Sequence, residues 1–351
     1  MTSLLIGMKK TILILTLVMG WLVSATAQQA NGTYSFLRVT NSARVAALGG
    51  LPLPLDDSDI QLSNFNPATI DSAMSNKLGL SYVDYYSDIN LVTAQYARCF
   101  DKLGAFAATV QYHNYGHFDE TSEGGIVTGD FSSSDYSVNV GWGRRLSPRW
   151  SIGAALKYAG IQYERYAAGA LAVDVAGIYR TKNDWVLSLN ARNIGTQLFN
   201  TFDSRHCPLP FSLDLGASHR LEHMPLTIMF WYDDLQKWNK IEETSTYLEQ
   251  HTDPITGEYS PEKGVSRFIR NFACHFVVGG ELSIGKNIVL RSAFNYGKRY
   301  MMNVPEARTL VGFSAGLAVK IKMFEVSYAR SRDNITLSPN YLSITMDLHK
   351  F

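Results

Sequence analysis

Apolar residues alternate with small or polar ones along most of this chain, with a period of two. Tyr136, Val138, Val140 and Trp142 interleave with Ser137, Asn139, Gly141 and Gly143. Phe106, Ala108, Val110 and Tyr112 oppose Ala105, Ala107 and Gln111, and Trp185, Leu187 and Leu189 oppose Ser188, Asn190 and Arg192. Phe211, Leu213 and Leu215 oppose Ser212 and Asp214, and Leu342, Ile344, Met346 and Leu348 oppose Ser343, Thr345 and Asp347. A period of two puts successive side chains on opposite faces of a strand. In these runs every charge falls on the small or polar face. A soluble sandwich would turn the apolar face to a core. Recurring in nearly every strand behind a secretion signal, the pattern instead predicts a closed antiparallel β-barrel, lipid outside and water inside.

The predicted strands number about fourteen. They run over 78–86, 90–100, 102–114, 131–146, 149–162, 170–181, 183–194, 209–221, 224–236, 270–284, 286–299, 307–321, 322–331 and 340–350. Every second connection is tight, as at Phe100-Asp101-Lys102, Ser147-Pro148-Arg149 and Gly285-Lys286. The others are mostly long, at 115–130, 195–208 and 237–269, with 87–89 a short exception. Short periplasmic turns against long external loops is the outer-membrane arrangement. Phe351 is read as the assembly signal at the chain end. It is out of phase with the even lipid-facing positions of the last strand, and a bulge near His349 would restore the phase.

Ahead of the strands, residues 1–27 read as a signal peptide. Lys9 and Lys10 form its charged region, Thr11 to Val23 its apolar region, and Ala25-Thr26-Ala27 a cleavage site, so the mature chain begins at Gln28. Met1 and Met8 are both possible starts. The apolar run is short of the ~20 residues of a membrane-spanning helix. Residues 28–77 lack the alternation and read as a hatch or plug segment before the barrel of 78–351. Ser42 to Leu48 predicts a short helix ended by Gly49-Gly50. Leu51-Pro52-Leu53-Pro54, Asp56, Asp57, Asp59 and Asn66-Pro67 predict turns. Arg44 is expected to meet an inward carboxylate such as Asp174 or Asp214.

Composition adjusts this picture little. A near-zero mean hydropathy of -0.07 is what alternating strands give. The 19 tyrosines suit interfacial girdles, and a net charge of +1 points to no nucleic-acid partner. Cys99, Cys207 and Cys274 form no metal pattern; an oxidising compartment leaves one disulfide open among them, with no pairing singled out, and they are read as unpaired. His113 and His117 sit at a strand end rather than on a helix, with no glutamate to complete a metal motif. No Ser and His are spaced as a nucleophile and its base. No catalytic residue, metal or cofactor is expected. In the longest loop, Trp238, Tyr247 and Tyr259 are candidate partner-binding anchors.

Ser42-Ala43-Arg44, Gly49-Gly50 and Asn66-Pro67-Ala68 together resemble the start of the fatty-acid-transporter-like outer-membrane barrels. In that family the Asn-Pro-Ala segment belongs to a hatch inside a barrel of fourteen strands. Arg192 to Leu198, and Leu209-Pro210-Phe211 continuing to Leu226, are similar to the PorQ/PorV group of the type IX secretion system of Bacteroidetes. The resemblance implies a non-enzymatic role in a cell-surface attachment complex. The implied partners are a PorZ-like surface protein, alongside PorU- and PorV-like proteins that process cargo and link it to lipopolysaccharide. The contrasting expectation is a transporter of hydrophobic small molecules, which needs an apolar pocket near the hatch.

Overall fold

The computed structural model describes residues 32–350 apart from 52–53, 203–205, 241–247, 249–250, 254, 261–263, 303–309 and 335. The expected signal peptide, Tyr247 and Phe351 lie outside the described residues. Fourteen antiparallel strands, each bonded to its neighbours in sequence, close when β1 pairs with β14. The strands are β1 (Lys77–Tyr86), β2 (Ile89–Phe100), β3 (Gly104–Thr121), β4 (Val127–Arg145), β5 (Trp150–Tyr163), β6 (Tyr166–Arg180) and β7 (Trp185–Asn200). They continue as β8 (Ser212–Arg220), β9 (Leu226–Tyr232), β10 (Phe276–Ile284), β11 (Ile288–Asn295), β12 (Phe313–Ile321), β13 (Phe324–Ser331) and β14 (Asn340–Asp347). Closure leaves no strand edge to be satisfied by lipid, which is what admits strands to a bilayer.

The in–out phase follows the alternation. Val138, Val140, Leu187, Leu189 and Leu215 are exposed on the outer face, whereas Ser137, Asn139, Ser188, Asn190 and Asp214 are buried inward. Turns at one end span 101–103, 146–149, 181–184, 221–225, 285–287 and 322–323. Connections at the other span 87–88, 122–126, 164–165, 201–211, 233–275, 296–312 and 332–339. The start of β1 at Lys77 and the end of β14 at Asp347 lie together at the short-turn end, and short turns mark the periplasmic end of such barrels. With Cys99, Cys207 and Cys274 replaced, a cysteine at Ser122 or Glu258 should react with a membrane-impermeant maleimide on intact cells, and one at Asp101 or Lys286 should not. Equal labelling of all four would overturn this orientation.

Several boundaries differ from the sequence reading. Most of 115–130 is ladder rather than loop, because β3 and β4 keep pairing through Phe118↔Phe131 and Asp119↔Asp130, past a register shift between Asn114 and His117. Likewise β6 and β7 pair as far as Ala168↔Asn200, and the β5–β6 connection shrinks to 164–165. Residues 265–274 and 296–301 are helices, α2 (Val265–Cys274) and α3 (Tyr296–Met301), not strand ends. In place of a bulge near His349, β14 stops at Asp347 and Leu348–Lys350 form a 3-10 turn.

The described residues of 33–76 fill the lumen. Helix α1 (Ala43–Ala47) ends at Gly49 and Gly50, whose φ of 96° and 83° are left-handed and favour glycine. The Gly50 amide returns to the Val45 carbonyl at 2.9 Å. Around α1, Val45, Leu48, Leu51, Leu55, Leu62 and Phe65 pack on Met229, Trp231 and Val277 of the wall. Tyr34, Phe36 and Leu37 pack on Ala159, Ile161 and Ala170 on the β5–β6 side. The inward face is therefore mixed, apolar where plug side chains press on it and polar elsewhere.

Candidate functional site

The plug residues Ser42, Ala43, Arg44, Asn66, Pro67 and Ala68 singled out in the sequence lie in the lumen. Ser42, Ala43 and Arg44 are buried, and the Ala43 amide donates to Ser343 Oγ at 2.9 Å. Asn66 caps the 3-10 turn Pro67–Thr69, its side-chain oxygen accepting from the Ala68 amide at 3.1 Å. This turn lies so close to the wall that a Cβ at Gly143 would stand 2.2 Å from the Ile70 carbonyl, and one at Gly153 would stand 2.2 Å from Pro67. The inward glycines of β4 and β5 thus make the seat for the Asn-Pro-Ala segment. Asn190 completes it by donating to the Phe65 carbonyl at 2.6 Å.

At the short-turn end the plug is held by charge. Arg44 does not reach Asp174 or Asp214. It pairs with Asp57, with Asp59 at 2.8 Å and with Glu281 of β10 at 3.1 Å. Glu281 is shared with Arg291 at 2.9 Å, and Arg291 reaches Glu325 at 3.4 Å. The expected carboxylates have partners nearer along the wall: Lys157 holds Asp174 at 2.9 Å and Arg192 holds Asp214 at 3.3 Å. Asp56 joins Arg180 and Arg145 on the opposite wall. The three plug aspartates therefore tie the segment to both sides of the barrel. With the Arg44 side chain only 4% exposed, the cluster is one whose charges depend on each other.

At the long-loop end a second set of pairs joins plug to loop. Arg38 donates to Asp234 at 2.7 Å, and Lys240 lies 2.5 Å from Asp233 and 3.3 Å from Asp234. His275, where the loop returns, is 2.6 Å from the Asp233 carbonyl. Burial alone would raise the Asp234 carboxyl; the facing Arg38 and Lys240 outweigh it and hold it well below the usual carboxylate range. A carboxyl held low in the folded state stabilises above its ordinary range and loses that contribution as the pH falls through the folded value. The tie therefore persists at neutral and mildly acid pH. Above the plug remains a cavity of about 720 Å³ lined by Arg38, Asp233, Asp234, Lys240, Lys298 and Asp333 together with Leu51, Met301, Leu337 and Tyr341. Its lining mixes these charged groups with apolar side chains.

The remaining candidates separate. His113 is buried in the lumen edge-on to Phe36, with ring centroids 5.3 Å apart. His117 lies on the outer hairpin beside Asp130, its side chain 79% exposed. Cys99, Cys207 and Cys274 are each free. Trp238 is no isolated anchor: its ring packs, tilted, at 5.3 Å from that of Phe268 of α2. Tyr259 is exposed, next to a bridge with Thr252. Sequence reasoning missed Glu281, Arg291 and Arg180. The acidic run at 56–59 announced a need for cations, but Glu281 lies 237 positions from Arg44, and no local spacing connects them.

Residues 24–219 match the family described as type IX secretion system protein PorV. No curated protein matches the sequence. Among solved structures, the toluene transporter TbuX of Ralstonia pickettii is 11% identical with a TM-score of 0.51, over 88% of this chain and 97% of that one. A FadL homologue of Pseudomonas aeruginosa is 10% identical with a TM-score of 0.48, over 88% and 99%. The toluene transporter TodX of Pseudomonas putida is 13% identical with a TM-score of 0.47, over 89% and 98%. At these identities the likeness is one of fold. The family match covers more than half of the 351 residues, and with a plugged barrel of fourteen strands this chain belongs to the PorV family of type IX secretion system proteins, barrels of the outer membrane.

Proposed function

We propose that this chain is a non-enzymatic outer-membrane component of the type IX secretion system, of the PorQ type. In this reading it holds a PorZ-like protein at the cell surface, in a complex with PorU- and PorV-like proteins that process cargo and link it to lipopolysaccharide. The observation that carries the reading is a lumen closed by a plug tied at both ends, below by Arg44, Asp56, Asp57 and Asp59 and above by Arg38. A solute path through the barrel would have to break both sets of pairs. A rigid barrel carrying a long external loop suits holding a partner better than moving a solute. Transport of a fatty-acid-like molecule is the alternative. The cavity above the plug is large enough for such a ligand, but its apolar side chains are interrupted by Arg38, Asp233, Asp234, Lys240, Lys298 and Asp333, which a wholly hydrophobic ligand would cut off from water.

Removal of residues 242–262 tests the reading. The cut spares the Lys240–Asp233 contact and α2, so the barrel should still fold and shift on heating in gel electrophoresis. Retention of a PorZ-like protein on the cell surface should fall several-fold. Normal retention would assign the contact to other loops. Wild-type cells with no co-purifying surface protein, together with slower long-chain fatty-acid uptake on gene deletion, would replace the anchor reading by the transporter.

A further inference from the structure

Helix α2 is built inside out. On a surface helix the apolar stripe ordinarily faces the core and the polar stripe faces water. Here Val265, Phe268, Ile269 and Phe272 share one face and are 73%, 53%, 58% and 41% exposed. The other side meets the protein: Asn271 and Cys274 are buried, and Arg270 donates to Tyr300 of α3 at 2.8 Å. An apolar face of this size on a ten-residue helix calls for an occupant.

Its position identifies that occupant. On β9 and β10, Phe230 and Val278 pair on the outward face that the barrel gives to lipid. One dyad further along the same face come Tyr232 and Phe276, with centroids 5.1 Å apart. Phe272 then packs on both, tilted against Tyr232 at 5.5 Å and edge-on to Phe276 at 4.9 Å. Phe268 lies parallel to Phe272 at 6.2 Å, and Trp238 covers Phe268. The lipid-facing wall thus continues without a break onto α2. With Tyr232 on the wall and Trp238 at its far end, this run of rings has the composition of a membrane–water boundary.

We infer that α2 lies in the outer boundary of the membrane, its Val265–Phe268–Ile269–Phe272 face in contact with acyl chains of the external leaflet. This is the geometry of an interfacial amphipathic helix, whose apolar face enters ~5–10 Å below the headgroups. The inference does not depend on the anchor reading. It assigns Trp238 to the lipid boundary and leaves Tyr259, six residues ahead of α2 in sequence, as a partner-binding candidate.

The test uses the full barrel with its native cysteines replaced, reconstituted in phosphatidylcholine vesicles with and without lipopolysaccharide. A spin label is placed in turn at Ile269→Cys, Ser266→Cys and, as a water-exposed control, Ser122→Cys. Position 269 should be relaxed several-fold more by oxygen, which concentrates in lipid, than by a water-soluble nickel chelate. Positions 266 and 122 should show the reverse. A gain in protection only when lipopolysaccharide is present would still support the inference and would name the lipid. Equal access of the nickel chelate to 269 and 122 in both vesicle types would overturn it. So would a position 269 open to water in vesicles but shielded in native outer membranes, since the occupant would then be a protein. The labels sit on exposed side chains, and a heat-modifiable band verifies folding of each variant.

Discussion

Arg44→Met should loosen the plug more than any other single substitution in it. Replacement removes the cation shared by Asp57, Asp59 and Glu281. Glu281 keeps Arg291 at 2.9 Å, so the uncompensated charge falls on the two plug aspartates. Breaking a buried pair by removing one partner costs ~3–5 kcal/mol. The Asp57 side chain is 43% exposed, and water reaching it places the expected loss toward the lower end of that range. The measurement is denaturant unfolding of the refolded barrel, with conductance in planar bilayers as a second readout. The variant should unfold at lower denaturant and show openings that the wild type lacks. Adding Asp57→Asn and Asp59→Asn should recover much of the stability, since the unpaired charges are then gone. An Arg44→Met barrel as stable and as closed as the wild type would show that apolar packing alone seats the plug.

Leu189→Arg should be the costliest substitution on the lipid face of β7, and its depth can be worked out. Trp185, stacked on His219 at 4.8 Å, and Trp150, 4.6 Å from Tyr179, mark the periplasmic girdle. The apolar band is ~25 Å tall with strands tilted ~40°. At a rise of ~3.4 Å per residue, its middle lies about five residues from the girdle, beside Leu189. A cation there costs ~2–4 kcal/mol, falling to ~0–1 near the interface. Leu187→Arg should therefore cost less than Leu189→Arg, and Trp185→Arg least in charge burial. Folding into lipid vesicles against denaturant measures the order. Equal cost at 187 and 189 would place the girdle elsewhere. A lumen substitution such as Ser188→Arg is a poor comparison, because Ser188 is 3% exposed against a filled interior and an arginine there overpacks it.

The barrel was legible because its signal is local. In a strand, which face a residue takes depends only on its parity. The phase read at 137–143, 185–192 and 212–215 therefore carries straight into the closed sheet. The α1 helix and its glycine stop, and the turn at Asn66, were legible for the same reason: the capping bonds at Gly50 and Ala68 span only a few residues. The strand ends were less so. The outer parts of β3 and β4 carry no lipid pattern, and they pair because the hairpin continues as an unsupported ribbon beyond β2 and β5. Helix α2 was misread, its first half as loop and its second half as the start of a strand. Phe268, Phe272 and Phe276 recur every four residues, a helical spacing, but the run leads directly into β10 and its apolar residues suited either period.

By itself the sequence determined that this chain crosses an outer membrane with strands, which faces meet lipid, and that a small segment precedes the barrel. Each of these follows from residue period and from turn chemistry within a few positions. Only the tertiary structure decided which carboxylates Arg44 meets, that Gly143 and Gly153 open a seat for Pro67, and that Arg38 fastens the plug to the longest loop. Those contacts join residues as far as 237 positions apart. The path of the plug through the closed lumen sets them, and no spacing along the chain encodes that path.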